Sequence, residues 1–359
     1  MTTTCTLTVD LGAVAHNYNL LKSKVGPGCR VAGVVKADAY GIGMEKVWAA
    51  LENQGCPFYF VATVDEALRL RALTQKPIGV FNGIFADAAD ETIRHNLIPV
   101  LNSLHAIDEW RGLAARHGIP LPVILHFDTG MNRLGLGAED TATLLAEADR
   151  LEGLKPQIVM SHFSCADEEG HAATPRQYER FAALAAKFPN VVASLANSSG
   201  IFGAARFHFG MVRPGMALYG LNPVPESENP MKPVAALEAQ ILQVRRARKG
   251  ETVGYGASHT LEKDTQLATV GLGYADGFLR SLSGTGKLFY KGKPCSIIGR
   301  VSMDLTVIDM EGQSPNPGEM VEVLGPHQSA DDLATAAGTI GYEVLTSLGK
   351  RYRPVYKTG

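Results

Sequence analysis

A lysine closes the apolar, β-branched run Val31-Ala-Gly-Val-Val-Lys36, and the glycine-punctuated turn Ala37-Asp-Ala-Tyr40-Gly-Ile-Gly43 follows at once. Such a run reads as a buried strand and the glycines as its end. A cation is costly there. The side chain either snorkels to water along its apolar stem or sheds its proton and becomes a neutral amine, the nucleophile that forms Schiff bases. Polar residues end the other apolar runs as well: Asn82, Asn102, Asp128 with Arg133 just beyond, His162, Asn197-Ser198-Ser199 and Arg213. Helix capping accounts for Ser198 and Ser199. It does not account for Lys36, His162 or Arg213, because cations are disfavoured beside helix N-termini.

The elements that position these residues alternate. Strand-like runs lie at 31–36, 58–62, 77–81, 97–101, 121–128, 156–163, 191–196 and near 207–220. Alanine- and leucine-rich segments with helical periodicity separate them, as at 176–188, where Tyr178, Phe181, Ala182, Ala185 and Phe188 share a face. Eight β/α repeats in about two hundred residues predict a TIM (β/α)8 barrel, whose active sites sit at the C-terminal strand ends. No G-x-G-x-x-G follows an early strand, which argues against a dinucleotide-binding sheet. The proline-rich stretch 222–230 reads as a linker. Beyond it, β-branched runs at 235–246, 265–272, 287–291, 294–299, 304–309 and 319–324 predict a mostly-β domain, with one helix near 329–340. The expected division is a barrel over residues 1–225 and a β domain over 226–359.

With 359 residues, two domains are the default. A formal net charge of −2 gives no basic footprint for nucleic acid or a membrane surface. No apolar run is long enough to span a bilayer and no secretory signal is visible. The five cysteines, Cys5, Cys29, Cys56, Cys165 and Cys295, lack metal-type or redox-type spacing, so no metal is expected and a reducing cytoplasm fits.

The eighth turn, Met211-Val-Arg213-Pro-Gly215-Met216-Ala-Leu-Tyr-Gly220, and the Asn197-Ser-Ser-Gly200 turn stand where barrel enzymes hold phosphate. Each alone reads as an ordinary turn. A lysine on strand one combined with a phosphate cradle on strands seven and eight points to pyridoxal 5′-phosphate.

The segments VVKADAYGIG, DTGMNRLG, SHFSCADE, ANSSGIF, MVRPGMALYG, VGYGASHT, GYADGFLR and GRVSMDL, with the ending TSLGKRYRPVY, closely resemble the signature segments of bacterial alanine racemases, in the family's order. The resemblance implies a homodimeric, pyridoxal-phosphate-dependent isomerase that interconverts L- and D-alanine and supplies D-alanine for the cell wall. It implies that Lys36 is the Schiff-base lysine and one of two bases. Tyr255, from the partner subunit, is the base on the opposite face. Arg213 meets the pyridine nitrogen, and His162 links that arginine to the tyrosine. Arg133 lies near the cofactor phenolate and the substrate carboxylate. Tyr40, Ser198, Gly215, Met216 and Tyr352 form the phosphate cradle. Met303 and Asp304, from the partner, contact the substrate carboxylate, and Asp167, Tyr274, Arg280 and Arg300 line the access corridor.

Removing a Cα proton from one face and returning it to the other requires two bases flanking the carbon. Arg213 stays protonated, so a chain Arg213–His162–Tyr255 would favour the tyrosinate. Two positions depart from the family. Ile42 stands where a histidine is common. His126 stands where many members carry a carboxylated lysine that orients the arginine matched by Arg133. A buried Arg133 would need a counter-charge, so an anion such as chloride, or an acidic side chain, is expected between His126 and Arg133. The bland alternative has His126 hydrogen-bonded within the barrel. Competing functions are a racemase of broader specificity, a same-fold decarboxylase and a non-catalytic pyridoxal-phosphate-binding barrel. Arg213 argues against the decarboxylase, and the β domain with Tyr255 and Met303 against the binding protein.

Overall fold

The computed structural model describes residues 4–84 and 86–358. Segment 30–34 carries the topology. On one edge, Ala32 N–H donates to the Val212 carbonyl (3.0 Å) and Val34 N–H to that of Pro214 (3.3 Å). On the other, Gly33 N–H and Val35 N–H donate to the Phe58 and Phe60 carbonyls, both at 2.9 Å. Paired on both sides, the segment closes a ring with the parallel strands Tyr59–Val61, Ile78–Val80, Leu97–Leu101, Leu121–His126, Leu154–Met160, Val192–Ser194 and Met211–Val212. The fold is the TIM barrel expected. Every barrel strand but the fourth, Leu97–Leu101, ends earlier than expected, so that Lys36, Asp128, His162 and Arg213 lie in the turns just beyond.

Local chemistry starts and stops the surrounding helices. Asp10 Oδ1 accepts the Ala13 N–H (2.8 Å) and caps Leu11–Lys24. Thr63 and Glu66 form a capping box on Val64–Arg71. Ser103 caps Leu104–His117, which ends on Gly118 at φ 64°. Those pairings satisfy the orphan N–H and C=O groups that every helix end leaves.

The second layer is an antiparallel-rich sheet built around the long strand Ala235–Ala247. Its neighbours are Met320–Leu324, Thr265–Val270 and, unexpectedly, Cys5–Asp10, which also pairs in parallel with the last strand, Arg353–Lys357. The first strand therefore leaves the region 1–225 and completes the other sheet. One continuous buried core runs through both layers, from Leu7 and Val9 to Leu237, Ile241 and Val323. A small hairpin, Thr252–Val253 with His259–Thr260, stands apart from the main sheet. The helix expected near 329–340 is Ala330–Ala337, started by a Ser329/Asp332 capping box. A second helix, Gly341–Ser347, follows it and packs its Leu345 carbonyl where a side chain on Gly41 would have to go.

Asp10 sits where the chain passes from one layer to the other. Asp10→Ala should destabilise the protein by about 1 kcal/mol and lower its thermal midpoint. An unchanged midpoint would mean that the cap contributes nothing to this crossing.

Candidate active site

Lys36 leaves the first barrel strand into a left-handed turn. Ala37, Asp38, Ala39 and Tyr40 all have φ between 52° and 58°, followed by Gly41 at 84° and Gly43 at 103°. For non-glycine residues this conformation costs roughly 1–2 kcal/mol each, so the surroundings must impose it. Glu66 does so from the neighbouring helix: Oε1 accepts the Ala37 N–H (2.6 Å), while Oε2 accepts those of Ala62 (2.8 Å) and Thr63 (3.3 Å). Asp38 Oδ1 takes the Met44 N–H and the Arg69 guanidinium, at 3.1 and 3.2 Å. The Tyr356 hydroxyl, from the last strand, donates to the Ile42 carbonyl at 3.3 Å. The Lys36 amine is 5.9 Å from the Phe81 ring centre. Burial holds its pKa below the usual lysine range, Arg133 adds to this, and Glu66 opposes it.

Arg213 is buried at the end of the eighth strand. One terminal nitrogen donates to the Ser194 hydroxyl and the other to the Ser161 carbonyl, both at 2.5 Å. The second also lies 3.4 Å from His162 Nδ1. Nε is buried with no hydrogen-bond partner. Burial pulls the guanidinium down to about 9, which leaves it charged at neutrality. His162 is pushed well below the ordinary imidazole range by burial first and by Arg213 and Arg133 next, so it is neutral. A guanidinium can only meet a lone pair, which places the His162 proton on Nε2, available to donate.

Beside these groups stands the cradle. Ser198 Oγ accepts the Gly215 N–H (3.0 Å) and the Ala217 N–H (3.2 Å), joining the turns after strands seven and eight. The Tyr40 ring stacks on Tyr219 at 4.5 Å and lies 6.0 Å from Tyr342. A side chain on Gly215 would collide with the Tyr40 hydroxyl. The Tyr342 hydroxyl contacts the sulfur of Met216. Tyr352 is not in this group. Its hydroxyl donates to the Asp276 carbonyl, and its ring packs near Leu237, Phe278 and Val344 in the second layer. Tyr342, at the start of the helix Gly341–Ser347, occupies the place expected of Tyr352. The two tyrosines stand ten residues apart, and only knowledge of that helix separates them.

His126 differs from expectation too. Its Nδ1 is 2.7 Å from Asn102 Oδ1, and burial together with Arg213 brings its pKa down to about 4. Arg133 is exposed in the single chain. The alternative with His126 bonded inside the barrel describes the structure.

The remaining residues, Asp167 apart, belong to the second layer. Tyr255 sits at the tip of the small hairpin and is 73% exposed, as Met303 is at 54% and Tyr274 at 44%. Their loops stack: Tyr274 N–H and Ala275 N–H donate to the Ser302 and Met303 carbonyls (3.0 and 2.9 Å). The Arg300 guanidinium lies against Gly256 beside Tyr255. Asp304 pairs with Arg351 at 2.8 Å, and Arg280 is exposed nearby in sequence. Asp167 is exposed on the loop after strand six, where its charge reaches the Tyr342 hydroxyl, itself pushed up to about 12 mainly by burial.

Because Glu66 holds the Lys36 proton on, Glu66→Gln should lower the pKa of the amine further. Acetic anhydride labelling of Lys36 in cofactor-free protein, followed by mass spectrometry across pH, should then shift to lower pH. A profile that stays or moves upward would remove Glu66 from the electrostatics of the site.

Known proteins share this arrangement. The family model described as the alanine racemase N-terminal domain matches residues 9–223, and that of the alanine racemase C-terminal domain matches 234–356. An alanine racemase of Acidiphilium cryptum is 48% identical over 98% of this chain and 99% of its own length. A catabolic alanine racemase of Mesorhizobium japonicum is 43% identical over 98% of this chain and 93% of its own. The crystal structure of an alanine racemase from Bartonella henselae, with covalently bound pyridoxal phosphate, superposes with a TM-score of 0.96 at 37% identity, covering 99% of this chain and 100% of that one. The chain belongs to the alanine racemase family.

Proposed function

We infer that the protein is an isomerase that interconverts L- and D-alanine with pyridoxal 5′-phosphate, as a homodimer in the cytoplasm, and that it supplies D-alanine for the cell wall. One observation carries the reading above the others. A buried arginine keeps one donor, Nε, without a partner, at the strand end next to a glycine-lined cradle. An unmet buried donor costs about 1–3 kcal/mol, so an acceptor belongs there, and a pyridine nitrogen is one. The rest of the chain fits the same group. Lys36, with its lowered pKa, can attack a carbonyl. Tyr40, Ser198, Gly215, Met216 and Tyr342 would hold the phosphate. Arg133, on its exposed loop, would meet the phenolate and the substrate carboxylate.

When bound, pyridoxal phosphate supplies the carbonyl that takes the substrate amine and a conjugated ring that draws electron density from Cα. Arg213, a donor that remains charged, would keep the pyridine nitrogen unprotonated and so hold that withdrawal in check. Lys36 Nζ takes or returns the Cα proton on one face. On the other, the phenolate oxygen of Tyr255 of the partner subunit does so. His162 Nε2–H stands ready to stabilise that phenolate, with Arg213 behind its Nδ1. Met303 and Asp304 of the partner subunit would complete the carboxylate contacts, and Asp167, Tyr274, Arg280 and Arg300 would form the corridor. The exposure of Tyr255, Met303 and Tyr274 on adjoining loops of the second layer supports this division of labour.

Cofactor-loaded protein given L-alanine should accumulate D-alanine to equal amounts by chiral chromatography, and Tyr255→Phe should slow this by roughly 10²–10⁴-fold. Carbon dioxide release or a persistently one-handed pool would overturn the assignment. A shared site makes a second demand. Mixing Lys36→Ala with Tyr255→Phe chains should restore about a quarter of the wild-type activity, because a two-fold dimer of one chain of each kind has one intact site. Subunit exchange without recovery would place both bases on one chain.

A further inference from the structure

The loop 164–174, which follows the sixth barrel strand, contains a feature the racemase chemistry does not use. Glu168 N–H donates to the Cys165 carbonyl (3.3 Å), His171 N–H to that of Glu168 (3.3 Å) and Thr174 N–H to that of His171 (3.1 Å). Successive turns of three residues stack their side chains on one side. The Cys165 sulfur, a Glu168 carboxylate oxygen and a His171 ring nitrogen consequently all lie within 4.8 Å of one another. The scaffold is held from both ends. Thr174 Oγ1 donates to the Cys165 carbonyl (3.0 Å), and the buried Gln177 side chain bonds both Ser164 N–H and the His162 carbonyl at 2.9 Å. Gly170 takes the left-handed conformation that the turn requires, at φ 73°.

We propose that Cys165, Glu168 and His171 form a binding site for a zinc-class divalent cation at the mouth of the barrel. One sulfur, one imidazole nitrogen and one carboxylate oxygen are the donor types of tetrahedral zinc sites, and three protein ligands leave a fourth position for water. A thiolate and an imidazole select against Mg²⁺ and Ca²⁺, which take oxygen. Donors 4.8 Å apart at most converge on an ion through side-chain rotation, without moving the turns. Binding releases the Cys165 thiol proton to solvent. It also exchanges the contact of Cys165 with Ser164 Oγ (3.4 Å) for a metal bond. No electron is transferred. The motif is C-x2-E-x2-H, so a count of cysteine pairs passes over it.

The test uses the cofactor-loaded enzyme and Co²⁺ as a spectroscopic stand-in. Titration should raise the long-wavelength visible bands of four-coordinate cobalt, clear of pyridoxal phosphate absorbance, saturating at one ion per chain. Zn²⁺ should bleach them and Mg²⁺ should not. Cys165→Ser and His171→Ala should each abolish the bands, whereas Cys29→Ser should keep them. A measurement without variants stands beside these: Zn²⁺ should slow iodoacetamide labelling of Cys165 at least tenfold in the wild-type protein. Bands that survive Cys165→Ser, no bands in the wild type, or labelling indifferent to Zn²⁺ would each overturn the site.

Discussion

A positive charge buried at the end of the eighth barrel strand governs the electrostatics of everything around it. Arg213 is inaccessible and meets only neutral acceptors, the Ser194 hydroxyl and the Ser161 carbonyl. With no carboxylate bonded to it, its field passes undiminished to its neighbours. Burial first and Arg213 next keep His162 and His126 neutral, and Arg213 fixes which nitrogen of His162 carries the proton. The usual remedy for a buried cation is an ion pair, and a pair here would neutralise that field. The fold instead supplies two dipoles and leaves one donor open. A stability cost is thus accepted at the one point where an unpaired donor has a use.

The barrel was legible because its strands are short apolar runs and its helices carry clear periodicity, and the same pattern located the strand ends. Lys36, His162 and Arg213 stood out since no structural convention puts cations at those positions. Three features were hidden. Segment 5–10 alternates like any half-buried strand, and nothing local says which sheet it joins; that depends on pairing with Ala239 and Pro354, hundreds of residues away. The left-handed turn after Lys36 is written in no propensity of Ala37, Asp38 or Ala39, and comes from Glu66 and from Leu345 packing on Gly41. Tyr342 and Tyr352 stand ten residues apart, and only the helix Gly341–Ser347 determines which one faces Tyr40.

The barrel mouth gathers Lys36, Arg133, His162 and Arg213, while the second layer presents Tyr255 and Met303 outward. The Tyr255 turn has Gly254 and Gly256 at positive φ, with Arg300 laid against it. Exposed aromatic and methionine side chains are the composition of a contact surface rather than of a solvated one. Association would therefore add reacting groups as well as stability, so that concentration and activity become linked.

The placement of the first strand sets the order in which the molecule can be finished. Cys5–Asp10 is synthesised before its two neighbours, Ala235–Ala247 and Arg353–Lys357, which come more than two hundred residues later. At about 5–20 residues per second the strand waits for tens of seconds with both edges unpaired. The barrel between can close meanwhile on its own local contacts. Until its neighbours arrive the strand presents two open edges, the template on which another chain can pair.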